Sequence, residues 1–445
     1  MIAILFLFLL ATLFWYQNKN KSFGITSLLL TTYALMSLIS IIVYFFLSAD
    51  NAYHIKLESM LYLCIAFLIS FYPFLGYRDC NLKIIYIENK NLFHFLEVLL
   101  IIGSLFSIIF FAAPATYSLS SNIRAYRMSG EYNFALGKYG IINTVASLFA
   151  NCFIILQFFF FYHLTNRNNR KTFYRILLPL LCSLSFVVYV LAYVGRDGTV
   201  YWSMSFIFMI LLFKNFLPKK QINRISAIFI LILLLISLPF YVITKSRFSH
   251  TKEGSLAWIV IYLGQQPLNF NDAYSISTPL TMGTTLFPAF SRFLEAIDVI
   301  DVDQTHLSEQ AASSFLYNDA KLYTFGTYVK SFLTNFGKIG TLIALLILSW
   351  FTKKSLRRVN SSGVFHFKHL LVFILFYQII YYGVFYFRQY SANLYIIAIL
   401  LISLLMHLFI SNKDALLISG TNQIKRDLNQ TSSRRSYHQP SCNHL

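Results

Sequence analysis

Ile225-Ser-Ala-Ile-Phe-Ile-Leu-Ile-Leu-Leu-Leu-Ile-Ser-Leu-Pro-Phe-Tyr-Val-Ile243 holds 19 residues and no charge. About 20 apolar residues in a helix cross the hydrocarbon core of a bilayer. Lys219, Lys220 and Arg224 stand before this run, and Lys245 and Arg247 after it. Ten more apolar runs surround it, at 2–16, 24–48, 58–76, 92–113, 141–163, 175–194, 199–216, 337–351, 369–387 and 392–411. The whole chain agrees: of 445 residues, 57% are hydrophobic and 12% charged, with 46 Phe and 30 Tyr. A soluble domain carries about 25% charged residues. These numbers exclude a soluble enzyme, a disordered protein and a disulfide scaffold. They predict an all-α polytopic membrane protein with about 11 transmembrane helices. The first run has no cationic start and no cleavage motif, so it reads as a retained anchor. The five cysteines form no CxxC or metal-binding spacing.

Lys and Arg in the connections set the orientation. Of the 36 cationic residues, 23 fall in one alternating set of connections and 13 in the other. The richer set is cytoplasmic, which places the N-terminus outside and the C-terminus inside. The inner set has five acids, Asp79, Glu88, Glu97, Asp414 and Asp427, and the outer set has twelve. The net charge of +19 therefore reports topology, and no nucleic-acid partner is expected.

Four regions follow: spans one to eight over 1–243, a long outer loop over 244–336, the last three spans over 337–411, and a tail over 412–445. Connections longer than about 12–15 residues are usually functional or disordered. The long loop carries Trp258, Tyr262, Phe270, Tyr274, Phe287, Phe290, Phe293, Phe315, Tyr317 and Tyr323, unlike a disordered segment. Phe290, Phe293, Leu294 and Ile297 recur at helical spacing, and Ser255–Leu263 is apolar enough to dip into the interface. A cap of short helices is expected. The tail, rich in Asn, Gln, Ser and Arg, reads as disordered. No internal repeat is visible, which counts against inverted-repeat transporters.

Outer arginines run against the topological bias. They are Arg124 and Arg127, Arg196 in Gly195-Arg-Asp-Gly198, Arg247, Arg292 and Arg388. Guanidinium groups hold phosphate oxygens in pairs and stay charged. Several converging at the outer surface could hold a diphosphate without a metal; the plain alternative is contact with lipid headgroups or nearby acids. His250, close to Arg247, is a candidate base for a hydroxyl proton. Asp298-x-x-Asp301-x-Asp303 lacks the glycine and bidentate glutamate of a Ca²⁺ loop and reads as a solvated face. Asp50 and Glu58 form no tight acidic pair, which argues against a metal-dependent glycosyltransferase. HExxH, GxSxG and P-loop patterns are missing from the sequence.

These features together resemble the Wzy-type oligosaccharide repeat-unit polymerases of O-antigen and capsule synthesis. Besides the long loop before the last three spans, two sets of strings carry the resemblance. Ile261-Tyr-Leu-Gly-Gln-Gln-Pro-Leu-Asn-Phe270 is similar to a Tyr…Gly…Asn string early in that loop. Tyr323-Thr-Phe-Gly-Thr-Tyr328 followed by Asn335-Phe-Gly-Lys-Ile-Gly340 looks like the lead into the next span, with Asn335 where Asp is common. Gly195-Arg-Asp-Gly198 loosely matches a Gly-Ser-Arg turn.

The resemblance implies a GT-C-like bundle in the bacterial inner membrane. It implies transfer of a growing chain from undecaprenyl diphosphate to a hydroxyl of another lipid-linked repeat at the outer face. It also implies a flippase and a chain-length regulator as pathway partners, and no cofactor. In this reading Arg196, Arg247 and His250 are catalytic. Arg124, Arg127, Arg292, Arg388, Tyr262, Asn269 and Tyr323 bind diphosphate or sugar. A ligase of lipid-linked sugars uses the same chemistry on another acceptor. A flippase or exporter handles the same substrate, but is expected to have shorter loops and more charge within its spans.

Overall fold

The structure is a computed structural model, and it describes residues 1–47, 54–120, 139–165, 173–248, 254–275, 280–297, 325–408 and 416–419. In chain order the elements are α1 (Ile2–Asn20), α2 (Ile25–Leu47), α3 (Leu57–Leu75), β1 (Ile84–Ile87), α4 (Lys90–Ser120), α5 (Gly140–Asn151) and α6 (Phe153–Thr165). Then come α7 (Phe173–Ser183), α8 (Ser185–Ala192), α9 (Asp197–Phe213), α10 (Lys219–Phe248), α11 (Gly254–Gly264), α12 (Gln266–Ser275) and α13 (Pro288–Ala296). Last are α14 (Thr327–Ser362), β2 (Val364–His366), α15 (Phe367–Tyr381), α16 (Gln389–Leu408) and β3 (Leu416–Ser419).

Nine helical stretches among the described residues are long and apolar enough to cross a membrane. Two of the eleven expected runs, 199–216 and 392–411, coincide instead with shorter apolar helices, Asp197–Phe213 and Ser391–Met406. Helix is the physical answer to such sequences, because a helix satisfies its backbone groups internally where water is absent.

The chain divides into two compact units, each discontinuous in sequence. The first comprises Met1–Gly76, Thr244–Ser355 and Leu371–Ile399. Within it, the Tyr33 hydroxyl donates to the Ile380 carbonyl at 2.6 Å, and the Thr26 hydroxyl to that of Phe74 at 2.9 Å. Both tie α2 to later helices in an interior where an unmatched hydroxyl is costly. At Gly264 the backbone comes so close to α2 that a Cβ would lie 2.8 Å from the Ile39 carbonyl carbon. Ser40 Oγ donates to the Gly264 oxygen there, at 2.6 Å. Two boundaries expected from hydropathy change. The segment read as loop up to 336 is already helical from Thr327, and the expected span begins beyond a kink at Gly337, where φ is 69° and ψ is −176°. Glycine alone takes that conformation without steric cost.

The second unit comprises Tyr77–Ile243, Leu356–Leu370 and Leu400–Leu445. Its α6 is apolar on all sides, and Phe153 through His163 are buried, as a helix of that composition must be. Phe153 stacks on Phe186 with centroids 4.1 Å apart, and Phe206 on Phe229 at 5.1 Å. A three-stranded sheet departs from the expected all-α pattern. β1 lies centrally, parallel to β2 and antiparallel to β3, with Ile85 opposite Phe365 and Ile418. Ile84-Ile-Tyr-Ile87 is rich in β-branched residues and far too short to span. β3 also amends the expectation of a tail unstructured over 412–445: within that stretch, Leu416–Ser419 is a strand.

Candidate functional site

In the first unit the sequence between α11 and α16 gathers polar groups that a membrane protein rarely buries. α12 opens Gln266-Pro267, with proline in the first turn where its missing N–H costs nothing. Gln265, Gln266 and Asn269 are 1%, 0% and 2% exposed. Asn269 Nδ2 donates to the Phe325 carbonyl at 2.5 Å and more weakly to Gln265 Oε1 at 3.3 Å. Gln265 Nε2, Gln266 Oε1, Asn269 Oδ1, Thr327 Oγ1 and Asn393 Oδ1 are buried and meet no hydrogen-bond partner among the described residues. Each such atom costs about 1–3 kcal/mol. Thr327 adds strain: its φ is 67°, in the left-handed region that a β-branched residue avoids. Its N–H donates to the Phe385 carbonyl at 2.9 Å, which holds 325–327 alongside 385–386. Unmatched polar atoms and backbone strain cluster at functional sites because only function offsets their cost.

Beside this cluster runs a row of half-exposed aromatic rings. Trp258 lies 6.2 Å from Tyr262, Tyr262 meets Phe325 edge-on at 5.4 Å, and Phe325 stacks on Tyr386 at 5.4 Å. Arg388 follows two residues later, immediately ahead of α16. The structure thus joins the Tyr262 and Asn269 string to Phe325 of the second string. Asn335 of the following string has a different job. Its Oδ1 accepts from the hydroxyls of Thr281 at 2.6 Å and Thr285 at 2.8 Å, and its backbone oxygen accepts from Met282 N at 3.0 Å. It is a buried amide tie, which explains why a neutral side chain serves there.

The other expected site residues are dispersed. Arg196 belongs to the second unit, where it is the residue before α9 and makes no side-chain cap bond, with Asp197 following in the first turn. Arg247 lies in the last turn of α10, and Arg292 within α13. Arg124, Arg127, His250 and Tyr323 lie outside the described residues, as do Asp298, Asp301 and Asp303. Among the described residues no group of three or more His, Cys, Asp or Glu side chains is placed to hold a metal ion.

Two ionisable groups went unmarked in the sequence reading. Asp272, one turn after Asn269 on α12, is half-buried. Burial raises its carboxyl above the usual carboxylate range, while the Asn271 amide and the Lys330 ammonium pull it back down. Lys330, one turn after Thr327, is buried at 9% exposure. The available signal was a lysine inside an otherwise apolar helical stretch. Asn271 fixes the place of Asp272. It accepts from Lys56 N at 2.8 Å and Ser59 Oγ at 2.7 Å, and donates to the His54 oxygen at 3.1 Å.

The second unit holds a titratable group of its own. Glu97 on α4 is hydrogen-bonded to His163 on α6 and to His94 at 3.3 Å. A carboxylate within an apolar helix needs such partners.

No protein-family model matches the chain, and no curated protein or solved structure does either.

Proposed function

We propose that the protein is a polysaccharide repeat-unit polymerase of the bacterial inner membrane, with its N-terminus outside and its C-terminus in the cytoplasm. In this reading eleven helices cross the bilayer. The growing oligosaccharide is transferred from undecaprenyl diphosphate to a hydroxyl of an incoming lipid-linked repeat at the outer face, without a metal. The observation that carries the reading is the half-exposed row Trp258, Tyr262, Phe325 and Tyr386 lying against buried, partly unmatched amides. Aromatic faces take up the apolar faces of sugar rings, and amides hydrogen-bond hydroxyls.

Arg388 adds support. It stands immediately before the first turn of α16, a shorter apolar helix with no acid in that turn, whereas Arg196 already has Asp197 in the first turn of α9. A cation there opposes the helix dipole unless an anion is also present. With a diphosphate, the guanidinium and the free N–H groups act together. Charge that builds on the leaving diphosphate is the charge such donors stabilise.

Deleting the gene in its host and visualising surface polysaccharide tests the proposal. A polymerase predicts that single repeats stay attached to the lipid anchor while long ladders vanish. Loss of the single-repeat species as well would replace it with ligation or flipping.

A further inference from the structure

Resting on the polymerase reading, the pair Asp272 and Lys330 takes on a second meaning. The first unit contains three acids among its described residues: Glu58, Asp272 and Glu295. Glu58 is exposed, at the start of α3, and Glu295 lies near the end of α13. Asp272 alone shares a helix with the buried amides. It sits three residues after Asn269 on α12, so the two side chains lie on one side of that helix. Lys330 sits three residues after the strained Thr327 on α14. Its stem is fixed by Gly326, where a Cβ would fall 2.1 Å from Lys330 Cδ. Any larger residue at 326 would displace it.

We propose that Asp272 is the base that takes the acceptor sugar's hydroxyl proton, and that Lys330 is the residue that positions its carboxylate. The acceptor oxygen bonds to the anomeric carbon of the growing chain as its O–H proton passes to an Asp272 carboxylate oxygen. The anomeric carbon–oxygen bond breaks, and its electron pair leaves with the undecaprenyl diphosphate. The protonated Asp272 then returns its proton to water at the outer surface.

The surroundings suit this task. Burial raises the Asp272 carboxyl above the usual carboxylate range, the direction that makes it a stronger base. Lys330 from α14 pulls it back down. On the segment entering α3, which packs against α12, the charged or titratable groups are His54, Lys56 and Glu58; Tyr62 follows within α3. Lys338 also packs against α12, with its Nζ 3.8 Å from the centre of the Tyr274 ring.

The test uses membranes holding the full-length chain, with undecaprenyl-diphosphate-linked repeats extracted from the deletion strain as the probe. Chain lengthening per molecule of protein is followed against pH. Asp272→Asn is expected to lower the rate at least about 100-fold with little change in KM, and to abolish the acid limb of the profile. Asp272→Glu should recover part of the rate. Lys330→Gln should move the acid limb to higher pH, because losing the cation makes the carboxylate harder to ionise. An Asp272→Asn protein within about threefold of wild type, or one that keeps the acid limb, overturns the base assignment while leaving the polymerase reading in place. An unmoved limb in Lys330→Gln removes Lys330 from the proposal. Wild-type membranes that fail to lengthen the probe overturn both readings together.

Discussion

Buried amides in this molecule are matched to different degrees. Asn151 of the second unit leaves its Oδ1 unmatched and Asn335 of the first is tied, while Gln157 and the group Gln265, Gln266, Asn269 and Asn393 make the sharpest contrast. In the second unit Gln157 is fully buried among phenylalanines, and both ends of its amide are matched. Nε2 donates to the Trp202 carbonyl at 3.2 Å, and Oε1 accepts from Ser205 Oγ at 2.7 Å. Trp202 Nε1 in turn donates to Ser183 Oγ at 2.9 Å. In the first unit Gln265, Gln266, Asn269 and Asn393 are equally buried, yet each leaves one polar atom unmatched. A complete network locks helices together and has no capacity left over. An incomplete one costs stability and keeps hydrogen-bonding capacity for something else. Gln266 and Asn269 bond to the carbonyls of Tyr262 and Phe325 in the aromatic row, so in the proposed reaction that capacity would serve the saccharide.

The largest effect expected from this contrast is on catalysis at the edge of the incomplete set. Arg388→Ala should slow chain lengthening by about 10²–10³-fold, the loss typical for one donor that stabilises transition-state charge. Protein level in the membrane should stay the same. Arg388→Lys should restore only part of the rate, since an ammonium lacks the planar fork. Full ladders in an Arg388→Ala strain would detach the arginine from the diphosphate.

Next in size is a change in the fully matched amide. Gln157→Leu should remove both bonds of its amide, leaving the Ser205 hydroxyl bonded to the Trp202 carbonyl at 2.7 Å, and lower stability by about 1–3 kcal/mol, roughly 0.5–1.5 for each bond lost. Thermal unfolding in detergent measures it. Polymerisation per folded molecule should be retained, because the network holds helices and contacts no substrate. A loss of rate at full stability would make the two amide sets functionally alike and end the comparison.

What the sequence disclosed depends on which physical quantity decides each feature. Apolar length could be read directly: among the described residues nine of the eleven marked runs fall on helices long and apolar enough to cross a membrane, and the other two on shorter apolar helices. Gly337 could not be assigned a kink, because its positive φ is set by packing, and hydropathy placed the boundary there instead of at Thr327. Leu416–Ser419 is four residues in a polar tail. Its strand exists through pairing with Ile84–Ile87, from a distant part of the chain, and strand propensity is a matter of context.

The candidate site divides in the same way. Arg388 was legible because it falls in the connections poorer in Lys and Arg, and Tyr262 and Asn269 through the resemblance. Gln265, Asp272 and Lys330 were not. Their meaning lies in burial, and a glutamine, an aspartate or a lysine in a long connection is ordinarily solvated. Asn335 was weighed as a replaced acid and turns out to be a structural amide.

The smallest expected effect is the sharpest discriminator. Gln265→Met conserves volume roughly and removes a buried donor, Nε2, that has no partner. The one bond it sacrifices, from Asn269 Nδ2, is long at 3.3 Å, and Asn269 keeps its shorter bond to Phe325. Removing an unmatched polar group together with a weak bond should change stability by less than about 1 kcal/mol, and in the favourable direction if the desolvation cost dominates. The same kind of substitution at Gln157 should be clearly destabilising. Chain lengthening should nevertheless fall, with KM for the lipid-linked repeat rising more than kcat drops, as expected for a group that binds sugar before and during the reaction alike. If Gln265→Met instead destabilises the protein as much as Gln157→Leu, the first unit's amides are structural too. The unmatched atoms would then mark a cost of packing, not a reserve for substrate.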